Sequence, residues 1–327
     1  MLDNSAGSAF AQINRAYGTV FRPGKLSIGL VAPLDNHAND PVPDLARHVE
    51  RAQLADALGF GALWLRDVPF NVPSFGDAGQ VFDPFVYLGA LATATRDIAL
   101  GVASIVLPLR HPAHVAKAAA SVDVLSGGRL LLGVASGDRP EEYPALDMSF
   151  ADRGARFRDS IDYIRAVAGS YPQARTAHGT LSGGIDMLPK PVGGQLPLLI
   201  TGASQQSPDW LARHGDGWMT YPRPIAQQRQ VTEAYRAGTR AAGVPDKPVM
   251  QSLYVDLVDD PAAPARPIHL GFRSGIDALR DYLVALEEIG VNHVALNLRF
   301  NGAEIEQTLR QLADGLLPRF NTKDEQR

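Results

Sequence analysis

Eight short runs of almost unbroken apolar residues punctuate the chain: 26–32 (LSIGLVA), 61–65 (GALWL), 98–103 (IALGVA), 130–134 (LLLGV), 198–202 (LLITG), 217–221 (GWMTY), a stretch within 249–258, and 291–298. Runs that do not alternate with polar residues belong to strands covered on both faces, the signature of a parallel sheet. Helical stretches fall between them. Asp44 opens one that stops at Gly59, and Asp83-Pro84 opens a second, with the proline at its first position, reaching about residue 95. A third covers 113–125, its apolar side read from Val115, Ala119, Val122 and Leu125 and its end marked by Gly127-Gly128. Further helices are expected at 152–168, from Ser204 to His214-Gly215, and at 225–242, 276–289 and 304–316. Eight strands alternating with eight helices predict one α/β domain, a (β/α)8 TIM barrel over 26–320. A doubly wound open sheet is the alternative. Gly- and Pro-rich stretches near 170–197 and 259–272 read as insertions, 1–25 as a loose N-terminal arm, and 321–327 as a tail.

Composition narrows the function classes. The net charge of -4, from 31 basic and 35 acidic residues with no block of one sign, argues against nucleic acid or an anionic membrane as partner. The chain has no cysteine, which removes disulfides, thiolate metal sites and cysteine nucleophiles. The first residues lack a basic region followed by a long apolar core, and no apolar run is long enough for a bilayer, so a cytoplasmic protein is expected.

In a barrel the chemistry sits where the strands end, which selects Arg66, Asp67, Ser104, Ser136, Asp138, Gly202, Ser204, Tyr221, Asn297 and Arg299. No lysine falls there, so a Schiff-base aldolase is disfavoured. His111 and His114 are the one close histidine pair, but they sit at a loop-to-helix junction without a third ligand, and no metal is expected. Asp67 and Asp138 could pair as in a glycoside hydrolase, although an ion pair of Asp67 with Arg66 is the simpler reading. Thr201-Gly-Ala-Ser-Gln-Gln-Ser207 runs from a strand into a helix, where free N–H groups and the hydroxyls of Ser204 and Ser207 could hold a phosphate. With the small residues Ser104 and Ser136 at neighbouring strand ends, this suggests a planar cofactor carrying one phosphate, and FMN fits.

Several segments carry a family likeness: Gly59-Phe-Gly-Ala-Leu-Trp-Leu65, Gly101-Val-Ala-Ser-Ile-Val-Leu-Pro108 with His111-Pro112, Asp123-Val-Leu-Ser-Gly-Gly-Arg129 into Leu132-Gly-Val-Ala-Ser-Gly137, and the Ser204 turn followed by Asp216-Gly-Trp218. Along nearly its whole length the chain resembles the bacterial luciferase-like flavin oxidoreductases. The resemblance implies a cis peptide at Ala103-Ser104 beneath the flavin ring. It also implies cofactor contacts from Ala103, Ser104, Ala135, Ser136, Gly137, Gly202, Ala203, Ser204 and Ser207. Ser136 matches a position that carries a phosphate-binding arginine in luciferase, which shifts that charge elsewhere, with Arg110 as a candidate. Where luciferase has a pair of histidines after the second strand, this chain has Val68 and Pro69, which cannot move protons.

The resulting expectation is an FMN-dependent monooxygenase acting with dioxygen on a small organic substrate. Asp67 and Arg66 are its candidate catalytic residues, and Arg66, Arg139, Tyr143, Arg223 and Arg299 the candidates for an anionic substrate. Two alternatives stand beside it, a deazaflavin-dependent hydride-transfer enzyme and a non-catalytic flavin-binding protein. A homodimer and a separate flavin reductase are expected partners.

Overall fold

The computed structural model describes residues 10–37, 42–72 and 82–321. In chain order it runs α1 (Arg15–Val20), β1 (Ser27–Val31), α2 (His48–Leu58), β2 (Ala62–Leu65), α3 (Pro84–Ala94), β3 (Ala99–Val106), α4 (Pro112–Leu125) and β4 (Leu130–Ala135). Then follow α5 (Arg153–Ala168), β5 (Gln173–Thr176), β6 (Gly179–Ser182), β7 (Leu198–Thr201), α6 (Pro208–His214), β8 (Gly217–Thr220), α7 (Ile225–Ala241) and β9 (Val249–Leu257). The last elements are β10 (Arg266–Ile268), β11 (Gly271–Ser274), α8 (Ile276–Glu288), β12 (His293–Asn297) and α9 (Ile305–Phe320).

Eight of the strands pair in parallel in the order β9, β12, β1, β2, β3, β4, β7, β8, and β8 pairs again with β9. That last ladder closes the ring, so the sheet is a barrel and not a doubly wound open sheet. All eight expected strands are present. The helices begin where the local chemistry directs: the Asp83 carboxylate accepts the N–H groups of Phe85 and Val86 at 2.9 and 3.2 Å, with Pro84 at the first helical position.

Four expectations need correction. The arm is not loose in its described part: Phe10, Ile13, Ala16, Tyr17, Val20 and Phe21 are buried against barrel-interior residues, plugging the end opposite the strand C-termini; residues 1–9 and 322–327 lie outside the described residues. The helix expected from Ser204 begins at Pro208, because Ser204 and Gln205 are in left-handed conformations that a right-handed helix cannot accept. Both insertions contain hairpins, β5–β6 and β10–β11, and the second extends the sheet beside β9. Finally, α2 starts at His48 instead of Asp44, and α9 continues to Phe320.

Gly271 has a clear reason to be glycine. A Cβ there would stand 1.9 Å from the Tyr254 carbonyl oxygen, so only glycine lets the hairpin dock on β9.

The core has two shells. Leu, Ile and Val side chains on the outer faces of the strands pack under the helices, while Val31, Ala62, Trp64, Ala99, Leu131, Leu199, Met219, Met250 and Ala295 fill the barrel interior. Trp64 takes so much of that space that a Cβ on Gly101 would lie 2.3 Å from its ring. The indole Nε1 of Trp64 donates to His293 Nε2 at 2.8 Å, which leaves the proton of the ring on Nδ1, facing Ser27 Oγ at 2.7 Å. Burial holds His293 neutral, its pKa pushed down to about 3.

The segment from Asp123 to Arg129, the most specific part of the family likeness, is structural. Asp123 accepts from Asn14 Nδ2 and from Val192 N. The buried Arg129 guanidinium donates to the carbonyls of Ala92, Thr95, Ile98 and Ser126 and to Thr95 Oγ1, all within 3.1 Å. It ties the ends of α3 and α4 to the starts of β3 and β4.

Candidate active site

A cavity of about 620 Å³ opens at the C-terminal ends of the barrel strands, the face on which barrel enzymes do their chemistry. Its walls include Arg66, Asp67, Ala103, Ser104, Ala135, Ser136, Gly137, Gly202, Ala203 and Ser204. The strand-end and cofactor-contact candidates are therefore brought together, with the exception of Ser207; of the candidates for an anionic substrate, Arg66, Arg139 and Arg299 line the cavity, and Tyr143 and Arg223 do not. Ser207 is exposed and caps α6, its Oγ accepting from Trp210 N at 3.3 Å, and it does not line the cavity.

On one side lies a shelf of small residues. Ala103 and Ser104 end the regular part of β3, and Ala135, Ser136 and Gly137 end β4. The Ala103-Ser104 peptide bond is cis, as the family likeness implied. Ser104 Oγ is hydrogen-bonded to Thr201 Oγ1, and the Met219 sulfur lies 3.1 Å from the Thr201 hydroxyl, so the floor beneath the shelf is tied across three strands. Tyr143 OH donates to the Ser136 carbonyl, fixing the end of β4.

Next to the shelf, β7 runs into a turn with positive φ at Gly202, Ser204 and Gln205. The N–H groups of Ala203, Ser204 and Gln205 donate to no described residue. Ser204 Oγ donates to the Thr201 carbonyl at 2.8 Å, so the turn presents its backbone amides, not this hydroxyl proton. Consecutive free amides of this kind form an anion-binding concavity. The cradle is thus the turn itself, and the expected helix terminus with paired Ser204 and Ser207 hydroxyls is not what the chain builds.

Asp67 and Arg110 are committed to each other. Asp67 Oδ1 accepts from Arg110 Nη2 at 2.7 Å, and Oδ2 accepts from Arg110 Nε and from Val106 N, each at 3.1 Å. Arg110 also donates to Asp83 at 2.9 Å; burial pulls its pKa down, but the bonds and charges of Asp67 first and Asp83 second hold it above even the ordinary arginine range. Arg110 does not line the cavity, so it cannot take over the charge that Ser136 lacks. The ion-pair partner of Asp67 is Arg110 and not the adjacent Arg66, and a carboxylate accepting three N–H bonds is poorly placed to act as base or hydrolytic acid. Arg66 lines the cavity, half-buried.

Other cations near the mouth are also engaged. Arg139 pairs with Glu142 at 3.5 Å, and Arg223 donates to Thr220, Tyr221 and Gln228. Burial raises the Glu142 pKa. Burial, with the charge of Asp138 adding to it, raises that of Tyr221.

His111 caps α4 by accepting from Ala113 N at 3.2 Å, and packs edgewise on His114, His178 and Tyr163. Among the described residues no group of three or more His, Asp or Glu is placed to hold a metal ion. Among them too, no helix is long and apolar enough to cross a membrane.

Sequence reasoning missed one arc of the wall: Tyr254 within β9, His269 and Leu270 at the tip of the β10–β11 hairpin, and Phe300 beyond β12. The insertion was legible as a Pro-rich detour. The one local signal for its return over the mouth is Gly271, whose need for close approach shows only against β9.

A closed parallel barrel with a small-residue shelf and a neighbouring cradle of free amides can take a flat ligand with an anionic end. The chain belongs to the luciferase-like monooxygenase family, a family of oxidoreductases, whose model matches residues 26–317. It is 28% identical over 225 residues to an F420-dependent hydroxymycolic acid dehydrogenase of Mycobacterium tuberculosis, covering 68% of this chain and 59% of that protein. It is 33% identical over 153 residues to 4-hydroxyprotoasukamycin monooxygenase of Streptomyces nodosus subsp. asukaensis, covering 46% of this chain and 40% of that protein. The matches thus span about half the length of these two relatives. Among solved structures, monooxygenase RslO1 from Streptomyces bottropensis superposes with a TM-score of 0.73 at 21% identity, covering 89% of this chain and 99% of that one. An F420-dependent secondary alcohol dehydrogenase in complex with an F420-acetone adduct gives 0.72 at 17% identity, covering 89% and 98%. These two likenesses carry the fold.

Proposed function

We propose that the protein is an FMN-dependent oxidoreductase of the monooxygenase type, acting with dioxygen on a small organic substrate. The observation that carries the reading is the set of free N–H groups at Ala203, Ser204 and Gln205 beside a shelf with no bulky side chain. A phosphate suits the amides, and a flat ring suits Ala103, Ser104, Ala135, Ser136 and Gly137, with Gly202 close to its chain. The residues present fit FMN in shape and polarity, although among the described residues no cationic side chain lines the turn that forms the amide cradle.

Bound reduced FMN supplies the electrons for oxygen activation, whereas a bound deazaflavin supplies hydride without oxygen. What the protein itself contributes is orientation and dryness. The Asp67–Arg110 pair holds Val106 and with it the end of β3, Ser104 and Thr201 brace the floor, and the β10–β11 hairpin walls off one side of the mouth. Val68 lines the cavity, a side chain with no proton to give. The second reading, a deazaflavin-dependent dehydrogenase, is favoured by the names of two relatives, both F420-dependent dehydrogenases. A homodimer served by a separate flavin reductase remains part of the proposal.

Titration with oxidised FMN and with a deazaflavin, followed by fluorescence, separates the two readings. Ser204→Asp tests the cradle, since aspartate tolerates the left-handed backbone. Its charge next to a phosphate opposes binding by about 4 kcal/mol per charge pair at 4 Å and an effective dielectric of 20. FMN affinity should fall at least about a hundredfold; unchanged affinity removes the site as drawn.

A further inference from the structure

Among the described residues, one cation at the mouth has no acid to answer it. Arg299, just beyond β12, is 9% exposed and lines the cavity. Its Nε is enclosed without a hydrogen-bond partner, and no side-chain nitrogen of Arg299 donates to a described residue. The guanidinium lies over the ring of Phe300, its Cζ 5.4 Å from the centroid. A buried cation without a counter-charge is costly to keep, and it is kept where a ligand completes it.

The surroundings indicate what that ligand carries. Asn297 turns Oδ1 toward Arg299 N at 3.0 Å, and its amide N–H groups donate to no described residue, so a second donor stands beside the guanidinium. Tyr254, paired with Asn297 in the β9–β12 register, makes an aromatic wall with Phe300 and His269, ring centroids 5.1 and 5.7 Å from its own. Tyr254 lies two strands, and Asn297 and Arg299 three strands, around the barrel from the turn after β7.

We infer that Arg299 and Asn297 form an anion subsite for the substrate, and that the substrate is an organic acid: a carboxylate on a flat body that lies against Tyr254, His269 and Phe300. That the second molecule in the cavity is a cofactor rests on the proposed function; the subsite rests on the chain's own residues. A planar guanidinium fork matches a carboxylate in two parallel hydrogen bonds.

Calorimetric titration of benzoate and of its neutral isostere benzamide, into protein with and without FMN, tests this. Wild type should bind benzoate more tightly than benzamide. Arg299→Gln should weaken benzoate about ten- to hundredfold while leaving benzamide and FMN affinity in place. Arg299→Lys, which keeps the charge and loses the fork, should fall between. In ligand-free protein Arg299→Leu should raise the Tm, because it removes an unanswered buried charge. Equal binding of the two probes by wild type, benzoate affinity unaffected by Arg299→Gln, or a lowered Tm in Arg299→Leu would each overturn the subsite. Loss of FMN affinity in Arg299→Gln with benzoate unchanged would assign the anion to the cofactor and overturn it too. Benzoate selectivity that depends on Arg299, in a protein that fails to bind FMN, would sink the cofactor reading and leave the subsite standing.

Discussion

The buried His293 makes a quantitative prediction about acid stability. Its ring lies inside the barrel, accepting from Trp64 Nε1 at 2.8 Å, and protonating Nε2 would break that bond and place a charge among apolar side chains. The unfolded chain takes up this proton near pH 6.5, while the native state resists until about pH 3. Within that window the unfolded state binds more protons, so stability is complete above pH 6.5 and declines as the pH falls. From pH 6.5 to pH 5 the loss is 1.5 units at about 1.36 kcal/mol each, or about 2 kcal/mol. The assay is urea unfolding followed by tryptophan fluorescence between pH 8 and pH 5, on wild type and on His293→Gln. Glutamine can keep one acceptor for Trp64 and does not titrate. Whatever the substitution costs at pH 8, the variant's curve should be flatter by about 2 kcal/mol over the range. Parallel curves would refute the reasoning, as would nitrogen NMR showing a doubly protonated His293 ring at pH 5 in folded protein.

Other outcomes follow from the same geometry. Arg129→Ala strips donors from four buried carbonyls and should cost about 3–5 kcal/mol by urea unfolding, with a loss below about 1 kcal/mol contradicting the clamp. Gly101→Val drives a side chain into Trp64 and should destabilise by about 1–3 kcal/mol or prevent folding, visible in the Tm. Ala135→Leu fills the shelf and should weaken FMN binding at least about tenfold with little change in Tm; full affinity would place the ring elsewhere. Asp67→Asn loosens the end of β3 and should lower stability by about 1–3 kcal/mol while leaving the shape of the pH–activity profile intact, whereas a lost limb in that profile would restore Asp67 as a base.

The strand and helix count was legible because burial on both faces leaves an unmistakable mark on a strand. LLLGV at 130–134 and LLITG at 198–202 offer no polar face for water, and Asp83-Pro84 or Gly127-Gly128 punctuate helices by local chemistry alone. Strand-end residues could therefore be chosen in advance, and most of them line one cavity. The misses lie where local rules are overridden. Ser204 reads as a helix cap, yet the chain turns left-handed there and delays the helix to Pro208. Asp67 and Arg66 are neighbours in sequence, but the guanidinium that reaches the carboxylate comes from Arg110, across the β3 end.

What the sequence alone determined is the order of elements, their buried faces, the family likeness and the set of residues at the strand ends, since all of these depend on near neighbours. Closure of the barrel through β8 and β9, the plugging of its lower end by Phe10 to Phe21, the return of the β10–β11 hairpin over the mouth and the isolation of the Arg299 guanidinium were decided by tertiary structure. Each depends on which distant groups meet, and a charge is answered or left unanswered only once the chain has closed around it.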